Sequence, residues 1–426
     1  MSGMLDMSVC VEKDYVSSNY SPKLWGMVSL ADSSISNAPL RLDLIIALDI
    51  SASMRVGDKF ANVKKAISTL LDRMDRHQSD SRQIHHTISL VAFNDSVEFA
   101  YPFLACTPDN KRLIFSRLDS VRPYGVTNLV GALKSIVKMI EQRNQRDLTA
   151  IILFSDGDYG LDMPSDQKVK CVREIPIPKN CVCHVFGMGI ETNPLVMCSI
   201  ANHFSGVFYF VEKMEMMSEL ADGCLTDVLN VRIRDLKLTL GCHDGCRLIK
   251  INTVYKVKEE RPSKTYSVAM GLISLKEKQV VVFQLSLRQL NAAFTAHSLL
   301  CVEADYLLPD GRREITTKKI SVIRVPTPHV CAPVPDLQYH LQRIVTSNAI
   351  LEALQKTTDL DKILDTAIKS LSDQKMIQDL LMCKVSSPSR LHIMYSFLSS
   401  YLTEKALDLK RMMTANRMSY TIYVDV

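Results

Sequence analysis

Asp49, Ser51 and Ser53 set one carboxylate and two hydroxyls at alternate positions, directly after the apolar run Leu42-Asp43-Leu44-Ile45-Ile46-Ala47-Leu48. Small oxygen donors of this kind suit a hard divalent cation, Mg²⁺ or Mn²⁺, better than zinc. Two later stretches could complete the set. Gly125-Val126-Thr127-Asn128 opens a helical pattern and offers the Thr127 hydroxyl. Thr149-Ala150-Ile151-Ile152-Leu153-Phe154-Ser155 is a second apolar run, which ends at Asp156 before Gly157. Taken singly, each residue has a plainer role. Ser51 and Ser53 could cap the helix expected near Asp58, and Thr127 could be an N-cap. Asp156 and Asp158 could be turn formers. Asp43 opens its strand, away from the site end, and is expected at the surface.

The elements that must hold these residues follow from periodicity. The run from Leu42 to Ile50 has the unbroken apolar character of a strand buried on both faces, as in a parallel sheet. Ligands of open α/β sheets bind at the carboxyl ends of such strands, which is where Asp49, Ser51 and Ser53 fall. A helix carries Phe60, Val63, Ile67, Leu70, Leu71 and Met74 on one face. Strands are expected at His86–Phe93, Ala150–Phe154, Val182–Met188 and Val207–Val211. Helices are expected at Asp109–Val121, from Thr127 onward, at Asn193–Phe204 and up to Leu229. This alternation predicts a doubly wound, mostly parallel, Rossmann-like α/β sheet over residues 41–230.

All five site elements occur in the order of a known motif. Asp49, Ser51, Ser53, Thr127 and Asp156 resemble the metal-ion-dependent adhesion site (MIDAS) of the von Willebrand factor A family, written Asp-x-Ser-x-Ser, then Thr, then Asp after a hydrophobic strand. Ala52 stands where the family often has Gly. The resemblance covers roughly residues 41–229. It implies that the five residues surround one Mg²⁺ or Mn²⁺ ion, directly or through water. One position is then left open for a carboxylate from a partner protein. The metal would act by its charge and not by chemistry.

From residue 232 the pattern changes to alternating strands separated by turns, at Leu236–Leu240, Ile249–Val257, Tyr266–Leu272, Val280–Leu287, Ser298–Leu307 and Glu314–Val325. These predict an antiparallel β-sandwich over 231–326. Residues 1–40 form a polar N-terminal segment whose one patterned stretch, near 23–30, is expected to join that sandwich. Pro326, Pro328, Pro333 and Pro335 mark a linker, and residues 336–415 read as a C-terminal helical region packed on the sandwich. This layout resembles that of plant-type ubiquitin ligases with a RING finger, an A domain, a β-domain and a helical tail. The echoes are Leu153-Phe154-Ser155-Asp156-Gly157, His184-Val185-Phe186-Gly187-Met188-Gly189 and Ser205-Gly206-Val207-Phe208-Tyr209-Phe210. In those proteins the RING precedes the A domain. Here the first 40 residues hold one cysteine, Cys10, so ligase activity does not carry over with the resemblance.

Composition narrows the function classes. The 426 residues are 47% hydrophobic and 23% charged, with a net charge of +5 and no basic block, so nucleic-acid binding is not indicated. No apolar stretch approaches a membrane span and no secretory pattern opens the chain. The 12 cysteines are therefore read as reduced thiols of a cytoplasmic protein, with the nucleus left open. Cys181-Val182-Cys183-His184 and Cys242-His243-Asp244-Gly245-Cys246 invite zinc, but the first lies on an expected strand where His184 points opposite the two cysteines, and the second has no matching second pair. Gly187-Met188-Gly189 lacks the third glycine of a dinucleotide loop, with Thr192 in its place. No phosphate-binding loop and no nucleophile elbow occurs. No catalytic residue is assigned and an enzyme is not expected. The expected function is a metal-dependent adaptor or scaffold that binds an acidic side chain of a protein partner. The alternatives are a non-catalytic accessory or substrate-binding protein of the ubiquitin pathway and, less favoured, a hydrolase.

Overall fold

A computed structural model describes residues 5–19, 22–32, 40–80, 85–143, 148–157, 163–253, 255–275, 277–290, 295–327, 332–356, 359–385 and 390–403. The chain divides into two compact units. One comprises Met1–Ala38 with Val231–Lys384, and the other Pro39–Asn230 with Val385–Val426. Each unit is thus built from two separated stretches of sequence. Asp158, Pro328, Ser387, Pro388 and residues 404–415 lie outside the described residues.

The first unit opens with strands β1 (Leu5–Val11), β2 (Tyr15–Ser17) and β3 (Lys23–Asp32). It resumes after the second unit with β10 (Val231–Cys242), β11 (Cys246–Asn252), β12 (Lys256–Arg261), β13 (Thr265–Ser274), β14 (Lys278–Leu287), β15 (Thr295–Leu307) and β16 (Arg313–Val325). They form a sheet ordered β1-β3-β14-β11 and a second ordered β12-β13-β10-β15-β16-β2. Leu24, Val28, Leu30, Val281 and Phe283 from the first meet Leu238, Leu240, Val268, Val302 and Tyr306 from the second in one core. The strand expected over 249–257 is two strands, β11 and β12, one in each sheet. β1 and β2 fall in the segment that had looked unpatterned.

Helices α7 (Pro335–Gln355), α8 (Leu360–Ser370) and α9 (Gln374–Lys384) follow. Leu337 of α7, with Leu341 and Ile344, packs on Trp25, Met27, Val280 and Val282, the outer face of the four-stranded sheet. β3 is therefore covered on both sides, which is why Gly26 through Leu30 are all buried. A Cβ on Gly26 would meet the Phe283 ring at 2.5 Å, so the residue must be glycine for β3 and β14 to pair as they do.

The second unit is a sheet ordered β6-β5-β4-β7-β8-β9, built from β4 (Leu42–Asp49), β5 (Thr87–Phe93), β6 (Val97–Ala105), β7 (Leu148–Ser155), β8 (Cys181–Met188) and β9 (Phe208–Val211). All pairings are parallel except that of β6, which folds back antiparallel on β5 after a turn at Asn94–Ser96. Between the strands run α1 (Lys59–Asp80), α2 (Pro108–Ser120), α3 (Leu129–Gln142), α4 (Ser165–Arg173) and α5 (Pro194–His203), and α6 (Met217–Leu229) follows β9. Alternate residues Ile45, Ala47, Ile151, Leu153, Cys183 and Val185 pack under α3, α4 and α5. The intervening Leu44, Ile46 and Leu48 are equally buried, so both faces are covered.

From β4 the chain moves to β5 on one side and returns to β7 on the other. The carboxyl end of β4 is therefore the switch point of the sheet, where ligands of open α/β sheets bind. The last helix among the described residues, α10 (Arg390–Thr403), belongs to this unit and contacts α5 and β9. The tail expected to pack as one region is thus split, because Met394, Phe397 and Leu398 are buried with the α/β unit.

Asp43 is not at the surface. Its side chain is 3% exposed and paired with Arg143, Nε to Oδ2 at 2.9 Å. It also accepts from Arg143 Nη2 at 3.0 Å and from Thr87 Oγ1 at 2.6 Å. The partner that buries it lies 100 residues away, beyond the reach of local pattern.

Candidate metal-binding site

The carboxyl end of β4 carries Asp49 to the switch point, and the chain then turns through a short 3-10 segment, Ala52–Arg55. Backbone bonds tie this loop to its neighbours. Ile50 N–H donates to Phe93 O at 2.8 Å, Tyr124 N–H to Ile50 O at 2.8 Å, and Ala52 N–H to Gly125 O at 3.1 Å. Gly125 has φ +79°, a conformation that suits glycine and lets the loop before Thr127 lie against the loop after Asp49. Asn128 caps α3, its side chain accepting from Gly131 N–H at 2.9 Å. Thr127 is thus relieved of the capping role and faces the site.

Asp49 Oδ1 accepts from Ser51 N–H at 2.8 Å. Its Oδ2 accepts from Ser155 Oγ at 2.5 Å and Thr127 Oγ1 at 3.3 Å. Ser51 makes no side-chain cap to the 3-10 segment, and its Oγ lies 3.0 Å from Ser53 Oγ. Ser53 Oγ donates to Asp156 Oδ1 at 2.7 Å, so between the two serines Ser51 is the donor. Asp49, Ser51, Ser53, Thr127 and Asp156 therefore form one hydrogen-bonded cluster drawn from three loops.

Asp49 is fully buried, and burial pushes its carboxyl up to about 6. The Ser155 and Ser51 bonds pull the other way, while the negative charge of Asp156 pushes it further up.

Three residues were missed. Ser155, the last residue of β7, holds Asp49, and its Oγ lies 2.9 Å from Gly157 O. Thr192 Oγ1 lies 3.2 Å from Asp156 O and 3.0 Å from Met188 O, bracing the loop that carries Asp156. Lys59, the first residue of α1, places its Nζ 2.6 Å from Asp156 Oδ2. A lysine opening a helix with no acidic residue in its first turn was the available signal. A cation is disfavoured there unless a carboxylate answers it.

The residues fit a hard divalent cation. The donors are two carboxylates and three hydroxyls, all oxygen, and the Lys59 ammonium already stands at the cluster as a cationic partner. Softer ligation is not offered: among the described residues no group of three or more His, Cys, Asp or Glu is placed to hold a metal. Cys181 and Cys183 are instead packed in the core beneath α3, α4 and α5, where burial pushes the Cys181 thiol up to about 12.

Residues 44–158 match the family described as von Willebrand factor type A domain. The chain is 22% identical over 308 residues to the probable E3 ubiquitin-protein ligase WAVH2 of Arabidopsis thaliana. That alignment covers 70% of this chain but only 40% of the relative. Among solved structures, the von Willebrand factor type A protein from Catenulispora acidiphila superposes with a TM-score of 0.72 at 13% identity, covering 93% of this chain and 96% of that one. The ArnB paralog VWA2 from Sulfolobus acidocaldarius gives 0.59 at 16% identity, covering 94% and 98%. These two likenesses establish the fold. By matched sequence and by strand order, the chain carries a von Willebrand factor type A domain, a kind of domain that generally serves as a protein-interaction module.

Proposed function

We propose that the protein is a non-catalytic adaptor or scaffold that binds an acidic side chain of a partner protein through a divalent cation held at Asp49, Ser51, Ser53, Thr127 and Asp156. The observation that carries this reading is the convergence of the five oxygen donors from three loops at the switch point of the sheet. A bound Mg²⁺ or Mn²⁺ would supply a localised positive charge for the incoming carboxylate. The chain's own residues orient the donors: Ser155 fixes Asp49, and Thr192 fixes the loop of Asp156. The surface beside the donors suits a protein partner. Val56, Tyr124, Val126 and Ile190 are exposed on the loops that carry or adjoin the site, an apolar rim that would contact residues flanking the acidic group.

Calorimetric titration of Mg²⁺ and Mn²⁺ into the intact chain and into an Asp49→Ala, Asp156→Ala variant tests the reading, with thermal shift in parallel. Binding or stabilisation of the intact chain alone supports it. Equal responses from both folded proteins refute it.

The likeness to the probable ligase WAVH2 favours a second reading of the partner, an accessory or substrate-binding role in the ubiquitin pathway. Co-purification of ubiquitin machinery with the intact chain separates the two. The buried thiols, among them Cys106 and Cys198, suit a reducing compartment such as the cytoplasm.

A further inference from the structure

Among the described residues, Lys59 is the one at the cluster whose charge opposes a metal ion. Its ammonium lies 2.6 Å from Asp156 Oδ2, with side-chain exposures of 13% for the lysine and 0% for the aspartate. The other carboxylate oxygen is taken by Ser53. The lysine stem runs beside Gly189, where an added Cβ would stand 3.7 Å from Cε and 3.9 Å from Nζ. The ammonium is therefore seated between the loop after β7 and the loop after β8. Lys59 also sits at the positive end of α1, so the contact with Asp156 answers both its own charge and that of the helix terminus.

We propose that Lys59 is a tethered cation that competes with the divalent ion for Asp156 and so sets the metal affinity of the site. This rests on the metal-binding reading above and deepens it. With Lys59 seated, Asp156 is neutralised and the cluster is closed by the chain itself. Entry of a divalent ion requires the ammonium to leave, since two cations a few ångströms apart in a largely buried site repel strongly. The unbranched lysine stem allows that exit by rotation about its own bonds, with no backbone change. A partner carboxylate then has two available counter-charges, the bound ion and the displaced ammonium at its rim. The site thus favours metal and acidic partner together over metal alone.

Mn²⁺ titration by calorimetry, with melting temperature read in chelator and in excess Mn²⁺, separates the possibilities. The samples are the intact chain, Lys59→Met, Lys59→Gln, Lys59→Arg and the Asp49→Ala, Asp156→Ala variant. The neutral variants should bind Mn²⁺ at least tenfold more tightly than the intact chain, and Lys59→Arg should stay near it. In chelator the neutral variants should melt lower, because Asp156 has lost its counter-charge, and Mn²⁺ should close that gap. Lys59→Gln keeps a donor for Asp156 and serves if Lys59→Met does not fold. Equal or weaker Mn²⁺ binding by folded neutral variants, with the intact chain still binding, overturns the role of Lys59 and leaves the metal reading standing. Silence of every protein overturns both.

Discussion

Replacing Asp49 with asparagine should flatten the pH dependence of stability of the metal-free protein. Asp49 is fully buried, and its carboxyl titrates at about 6 instead of the usual 3.8. Between those values the folded chain keeps a proton that the unfolded chain has released. The contribution of Asp49 to stability is therefore fully present below pH 4 and is lost as pH rises through 6. The displacement corresponds to about 3 kcal/mol, most of which should be lost by pH 7. Asparagine has nearly the same size, can accept from Ser51 N–H, and carries no charge at any pH, so its curve lacks this component. The assay is urea unfolding in chelator from pH 4 to pH 8 on both proteins, reading the difference at each pH, because carboxylates away from the site contribute equally to both curves, while Asp156, whose charge acts on Asp49, belongs to the difference. The variant should gain about 3 kcal/mol on the parent across the window. A difference constant to within about 0.5 kcal/mol would mean that Asp49 is solvated or already ionised in the fold, and would refute the reasoning.

Three further outcomes follow from the packing. Asp43→Asn removes a charged acceptor from the Arg143 fork, and since Arg143 keeps some solvent and lies 4.0 Å from the centroid of the Phe103 ring, the cost by chemical denaturation should be about 2–3 kcal/mol. Adding Arg143→Met should recover part of it; a cost below about 0.5 kcal/mol would show the pair to be idle. Gly206→Ala puts a Cβ 1.8 Å from the Cys183 carbonyl oxygen, so β8 and the turn before β9 must separate. A loss of about 3 kcal/mol or more, seen as a lower melting temperature or poor soluble yield, is expected, and a native melting curve would contradict it. Met394→Ala empties a fully buried position on α10 and should cost about 2–3 kcal/mol; no change would mean that the helix does not hold to the α/β unit.

The candidate site was legible because its signals are local. The serines follow Asp49 within four positions, and Asp156 ends an apolar strand whose character needs no partner to recognise. The strand β4 could be read for the same reason, since burial on both faces leaves an unbroken run. What escaped depends on distant contacts. The burial of Asp43 needs Arg143, and the seat of Lys59 needs Asp156, 97 residues on. β1 alternates only partly, with buried Leu5 and Met7 but half-buried Val9 and Cys10, so little in Leu5–Val11 announces a strand until β3 lies beside it. α10 buries His392 and Ser396 along with Met394, Phe397 and Leu398 while Leu391 is exposed, so its apolar pattern does not name the surface it covers. His392 shows the surface, donating to the Thr192 carbonyl at 2.7 Å and stacking on Phe210.

The interleaving of the two units has a consequence for synthesis on the ribosome. β3 emerges before the whole α/β insertion, yet its neighbour on one side is β14, with Val28 opposite Val281. Roughly 250 residues must be made first, and at about 5–20 residues per second that is a wait of roughly 10–50 s. During it the apolar face of β1 and β3 has no second sheet to cover it, while strands β4 to β9 emerge and can pair among themselves. The α/β unit waits in turn for its last helix, since His392 and Thr192 are 200 residues apart. Neither unit can finish as it leaves the ribosome. The exposure of β3 to aggregation is then set by the length of the insertion that follows it, so lengthening a surface loop anywhere between β4 and β9 would lengthen that exposure without touching a single sandwich contact.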